Sequence, residues 1–155
     1  MSKMEAMINL VKDYLDREQW KYEYNEETHT IQTGVRLKSK LQSLHMALRF
    51  TEGGYITIAG PTLIVKEDYR PDVAEYITRA NFGMKNGNFE LDYRDGEVRF
   101  KLYTNYKGLN DFSEEIIEDS LVIPPVMFER YGDGLAALIM GFSTPEIEID
   151  KAEKW

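Results

Sequence analysis

The chain has 155 residues, 43% hydrophobic and 30% charged, with 19 Lys and Arg against 27 Asp and Glu for a net charge of −8. That field repels nucleic-acid phosphates and anionic lipid, and no window reaches the ~18–20 unbroken apolar residues of a membrane span, so neither nucleic acid nor membrane is an expected partner. With zero cysteines, disulfides, thiolate nucleophiles and sulfur-ligated metals are excluded, and the expectation is one cytoplasmic domain over 1–155 with no signal peptide and no cofactor.

Ser2 and Glu5 form a capping box, so a helix starts at once. Met4, Met7, Ile8, Val11, Tyr14 and Leu15 then recur at three- and four-residue spacing, and this helix ends near Arg17 to Gln19. From Trp20 the period is two. Trp20, Tyr22 and Tyr24 form one strand, and after the turn NEET come Ile31, Thr33, Val35 and Leu37. Leu44, Met46, Leu48 and Phe50 form the third, and placing Leu37 opposite Leu44 makes every buried position meet another. The loop Glu52-Gly53-Gly54, taken as three residues, sets Phe50 opposite Ile56 and Leu48 opposite Ile58. The result is a four-strand antiparallel meander.

Pro61 closes that run, and Thr62 to Val65 can extend an edge. Pro71 opens a second helix with the apolar stripe Val73, Tyr76, Ile77 and Ala80, while Glu75 and Arg79 pair outside. The segment GNFELDYRDGEVRFKLY follows. Its Asp95-Gly96 suits a two-residue type I′ turn, which places Tyr93, Leu91 and Phe89 opposite Val98, Phe100 and Leu102. On the other face Arg94, Asp92 and Glu90 then meet Glu97, Arg99 and Lys101, so the crowded charges form a solvated sheet face rather than a catalytic site. Residues 105–111 form a loop, and Ser113 starts a short helix carrying Ile116 and Ile117. Pro124 and Pro125 break it and start another with Met127, Phe128, Tyr131, Leu135, Leu138 and Ile139. Gly132 and Gly134 mean that this helix is either tightly packed or broken there. After Thr144 the tail forms a helical turn or a short strand.

Site chemistry is sparse. The only histidines are His29, in a polar turn, and His45, on the polar face of a strand and expected opposite Arg36. Glu26, Glu27 and His29 match no closed zinc spacing, and no nucleotide-binding, metalloprotease, serine-hydrolase or EF-hand motif occurs. VRLKSKL, the densest basic stretch, has strand spacing and marks a strand end, not a phosphate track.

The helix ending Ile77 to Asn81, the pattern Gly87-x-Phe89-x-x-Asp92, the run Val98, Arg99, Phe100, and the ending Gly141 with Thr144 to Glu146 resemble the YbjN-like family, described as bacterial sensory transduction regulators. The element order is similar to the type III secretion-chaperone-like fold. The resemblance spans about half the chain, residues 70–146. It implies an α+β domain of about six antiparallel strands with helices at the N-terminus, middle and C-terminus. It also implies a non-enzymatic protein-interaction or chaperone-like function, with a polypeptide partner and a homodimeric state. Aromatic residues not needed by the strand pairing, Tyr69, Tyr103, Tyr106 and Trp155, are the candidate partner contacts, unless they cover the core edge. The rival expectation is a small-molecule-binding regulator, or an enzyme using carboxylates and tyrosines in a deep pocket.

Overall fold

A computed structural model describes residues 1–154. Helix α1 (Lys3–Arg17) opens with the expected capping box: Ser2 Oγ accepts from the Glu5 amide at 3.1 Å, and Glu5 Oε2 from the Ser2 amide at 2.8 Å. Strands β1 (Tyr22–Asn25), β2 (Thr30–Arg36), β3 (Ser43–Phe50) and β4 (Gly54–Gly60) follow as an antiparallel meander. A 3₁₀ turn (Glu67–Tyr69) leads into α2 (Arg70–Asn81), which has Pro71 in its first turn and buries Val73, Tyr76, Ile77 and Ala80. Then come β5 (Asn88–Leu91), β6 (Val98–Asn105), α3 (Glu115–Ile139) and α4 (Pro145–Glu153). The six strands make one sheet in the order β1-β2-β3-β4-β6-β5. This is the expected α+β architecture.

The three expected registers each differ from the observed pairing. In β2–β3, Val35 rather than Leu37 lies opposite Leu44. Glu129 Oε1 accepts from the amides of Lys38 and Ser39 at 2.8 and 3.2 Å, and Asp133 Oδ1 from Lys40 at 2.7 Å. These two α3 carboxylates hold the connecting turn from outside the hairpin, and the pairing is displaced by two residues from the expected one. In β3–β4 the loop is Glu52-Gly53, and Phe50 meets Tyr55, Leu48 meets Thr57 and Met46 meets Ala59. This one-residue difference turns β4 over: Tyr55, Thr57 and Ala59 face the core, while Ile56 and Ile58 are on the outer face, only partly covered. In β5–β6, Leu91 meets Val98 and Phe89 meets Phe100, because the turn spans Tyr93 to Gly96 rather than two residues. Tyr93, expected inside, is exposed at that turn.

Two buried clusters lie along the helix-covered side of the sheet. One gathers Met7, Val11 and Leu15 of α1 with Ile31, Leu48, Phe50, Tyr55 and Tyr106. The other gathers Met46, Phe89, Phe100 and Leu102 with residues of α2, α3 and α4. Helix α3 contributes Ile117 and Leu121 to the first and Phe128 to Ile139 to the second. Pro124 and Pro125 therefore do not break it, and the helix is continuous over 25 residues. Proline φ is compatible with a helix. The cost is local, about 3 kcal/mol or more for a lost bond and a carbonyl clash, whereas each fully buried Leu, Ile or Phe on either side returns roughly 1.5–3 kcal/mol.

Of the two alternatives for the glycines of this helix, tight packing is the one observed. A Cβ on Gly134 would lie 2.4 Å from the Tyr76 hydroxyl, and one on Gly132 2.7 Å from Ser39 Oγ. The tail after Thr144 is the helix α4, N-capped by the Thr144 side chain.

Candidate functional site

Of the aromatic candidates, Tyr103 is 50% exposed on the outer sheet face, where it pairs with Ile56. Tyr69 is half-buried, its ring against Gly141 at the start of the α3–α4 loop. Tyr106 is fully buried: its ring meets Phe112 at 5.5 Å between centroids and its hydroxyl donates to the Thr51 carbonyl. Burial pushes its phenol up to about 12. It covers the edge of the core and presents no surface to a partner. Trp155 lies outside the described residues.

The expected charge pairs of the β5–β6 hairpin are rearranged. Glu90 accepts from Arg99 Nε at 2.8 Å and pairs with Lys101 Nζ at 2.7 Å. Burial works to raise this carboxyl, but the two cations outweigh it and hold it below the usual range. Asp92 turns instead to Arg94, accepting from its amide at 2.9 Å and from its guanidinium at 2.7 Å. These contacts hold the Asp92 carboxyl at about 2. These five charges thus pair with one another, but not as the full set of three cross-strand pairs expected.

The family-like motif residues have a packing role of the same kind. Asn81 Oδ1 accepts from the Phe89 amide at 2.7 Å, and Asn81 Nδ2 donates to the Phe89 carbonyl at 3.0 Å. A carboxamide thus takes the place of a neighbouring strand on the free edge of β5, which blunts that edge against adventitious pairing. Phe89 itself packs edge-on against Phe100, Phe128 and Tyr131.

Neither histidine joins a reactive group. His29 adopts a positive φ in the β1–β2 turn, 3.4 Å from the Tyr24 hydroxyl, and His45 pairs with Gly34 rather than Arg36. Among the described residues no group of three or more His, Asp or Glu is placed to hold a metal ion.

What stands out is apolar surface. Phe82, directly after α2, is 91% exposed, and it heads a loop through Asn86 that faces α3 across an open groove of about 670 Å³. Asp119, Ile123, Met127 and Arg130 line the α3 wall at helical spacing. The groove floor is polar but satisfied: Tyr131 donates to Glu153 at 3.0 Å, and Arg130 reaches the other oxygen of Glu153 at 2.9 Å. Tyr131 is raised by burial and then by that carboxylate, so it is poorly suited to give up a proton. Met140 and the 78% exposed Phe142, which flank Gly141 after α3, are further exposed apolar residues. Sequence periodicity missed Phe82 and Phe142 because each is a single loop residue outside any repeating stripe.

No family model matches the chain, and no curated protein matches it. Among solved structures it is similar to a chain in the "Crystal Structure of the ExsC-ExsE Complex", at 13% identity over 84% of this chain and 96% of that one, with a TM-score of 0.51. At that identity the likeness is one of fold alone, an α+β fold as the element order predicts.

Proposed function

We propose that this chain is a non-enzymatic, chaperone-like polypeptide-binding module of the bacterial cytoplasm, self-associating and of regulatory type. The observation that carries it is the shared fold with a chain crystallised in a two-protein complex. Further support comes from the exposed Phe82, which shares one open groove with the apolar side chains of Met84, Ile123 and Met127. The YbjN-like motif adds to it through Asn81 and Phe89, whose contacts build the sheet edge rather than a reactive centre. Several groups that an enzyme could use are engaged, Glu153 with Tyr131 and Arg130, Tyr55 with Ser120, and Tyr76 with the Tyr131 carbonyl, although among the described residues the buried Glu148 keeps one oxygen without a hydrogen-bond partner. Tyr103, Tyr69 and Trp155 are proposed contacts of the partner.

The test is affinity capture from the source cell with the folded chain, using the core variant Phe100→Ala as an unfolded control. The expected result is a polypeptide retained reproducibly by the folded protein alone, which then co-elutes with it when both are purified and mixed. If no polypeptide passes both steps, the proposal falls.

A further inference from the structure

We infer that helix α4 is a releasable latch at the end of the polypeptide groove: it opens while the rest of the chain stays folded, because the side chain it buries over Gly134 is the carboxylate of Glu148. This rests on the polypeptide-binding function proposed above and names how that groove is regulated.

A helix of nine residues is too short to hold itself in water and depends on the face it buries. Helix α2 buries Val73, Tyr76, Ile77 and Ala80, whereas α4 buries Pro145, Glu148 and Ala152, with Ile149 half-buried against the same cluster. Gly134 of α3 makes room for Glu148: a Cβ there would lie 3.1 Å from Glu148 Cβ. The Glu148 side chain is 8% exposed, and its Oε1 has Lys151 Nζ at 3.6 Å. Its Oε2 is buried with no hydrogen-bond partner among the described residues. Tyr76, whose hydroxyl borders the same glycine, donates to the Tyr131 carbonyl at 2.8 Å, so its proton is engaged elsewhere. A charged oxygen buried without a partner is costly, and unseating α4 returns it to water.

The polar contacts that seat α4 lie at its two ends. At the N-terminal end Arg79 reaches Glu146 at 3.9 Å, between exposed side chains. At the C-terminal end Glu153 accepts from Arg130 at 2.9 Å and from Tyr131 at 3.0 Å, and the Ala152 carbonyl accepts from Arg130 at 3.2 Å. Ion pairs this close to solvent hold weakly and are screened by salt. Glu153, Arg130 and Tyr131 also belong to the groove that Phe82 and Met127 line. When α4 lifts, the groove loses Glu153 from its end. The cluster that Ala152 joins with Leu135 and Leu138 of α3 then opens to it, which lengthens the apolar surface along α3.

Native-state hydrogen exchange of the full chain tests this. The amides of Ile149 to Ala152 should exchange through a local opening that low denaturant does not accelerate, about tenfold or more faster than the amides of Tyr76 to Ala80 in α2. Glu148→Met, an apolar chain of similar length, should slow α4 exchange by about tenfold or more. Glu148→Gln keeps the shape and removes the charge, so it should slow exchange as well and guards against a misfit of the methionine. In the capture assay both variants should retain less polypeptide, about tenfold less for Glu148→Met, because the open form is rarer. Exchange of α4 as slow as that of α2, rising only with global unfolding, overturns the latch. So does α4 exchange that neither variant slows. Slowed exchange with undiminished capture overturns the place of α4 as the latch of the groove. If the wild-type chain captures no polypeptide while α4 opens as expected, the polypeptide-binding function falls and the local opening of α4 stands.

Discussion

The β3–β4 and β5–β6 hairpins differ in what a register error does to them. Both pair differently from the expectation, but β5–β6 is displaced by two residues and β3–β4 by one. In a pleated strand an even displacement keeps each side chain on its face, whereas an odd one exchanges the faces. Charges at Glu90, Arg99 and Lys101 alternate with Phe89, Val98, Phe100 and Leu102, so burying the wrong face of β5–β6 would place ions in the core. Strand β4 has no such alternation. Tyr55, Ile56, Thr57, Ile58 and Ala59 can all be buried, and side-chain hydrophobicity alone favours the isoleucines. The observed choice follows from tertiary contacts: the Tyr55 hydroxyl lies 2.7 Å from Ser120 Oγ of α3, its ring packs 4.8 Å from Phe50, and the small Thr57 and Ala59 lie on the side where α3 packs against the strand.

The largest expected effects test this face of β4. Tyr55→Ala removes a fully buried ring and its hydrogen bond to Ser120, whose hydroxyl keeps only the Ile117 carbonyl, so it should cost about 3–5 kcal/mol in chemical denaturation. Ile58→Ala, on the outer face, should cost no more than about 1 kcal/mol. The opposite ranking would mean that the isoleucines form the core side of the strand. Thr57 gives this comparison a further handle, since its buried hydroxyl has no hydrogen-bond partner.

A middle-sized effect belongs to the edge of the second hairpin. Asn81→Ala removes two hydrogen bonds to Phe89 and leaves its amide unsatisfied, while the Phe89 carbonyl still accepts from Asn88 Nδ2 at 3.2 Å, at an expected cost of about 1–3 kcal/mol. Hydrogen exchange at the Phe89 amide should accelerate well beyond its neighbours, and the opened β5 edge should raise the tendency to aggregate. If Phe89 exchange is unchanged, Asn81 is not what closes that edge.

Elements whose signal is local were legible from sequence: the capping box of α1, the stripe of α2 with Pro71 at its start, and the six strands as such. Features set by residues distant in the chain were not. Nothing near Lys38 to Lys40 announces that Glu129 and Asp133 will hold that turn. Nothing near Pro124 announces that the sheet beneath will keep the helix whole. The candidate surface was legible to a similar extent. Tyr103 is exposed as a contact residue must be, whereas Tyr106 is at the core edge because Phe112 and the Thr51 carbonyl complete its surroundings. Phe82 was recognisable only once the loop after α2 had a position in space.

The smallest effect distinguishes the observed β5–β6 turn from the two-residue turn expected from Asp95-Gly96. Gly96 has φ of 83°, and a Cβ there would lie 2.1 Å from the Val65 carbonyl oxygen. The Gly96 carbonyl accepts from the Val65 amide at 2.8 Å, and Arg70 donates to the Tyr93 carbonyl at 2.8 Å. These contacts from outside the hairpin hold the wider turn, in which Asp92 pairs with Arg94 instead of reaching across to Arg99. The consequence can be read by titrating the Asp92 carboxyl by NMR. Its midpoint should be near 2 in the intact protein and should rise towards the ordinary aspartate value in Arg94→Ala, whereas Arg99→Ala should move it much less. Because the folded-state value is depressed, the contribution to stability is present above the unfolded-state value and is lost as pH falls through about 2. Arg94 is exposed, so added salt should shrink the shift. A larger response to Arg99→Ala than to Arg94→Ala would restore the cross-strand pair, and with it the tighter turn.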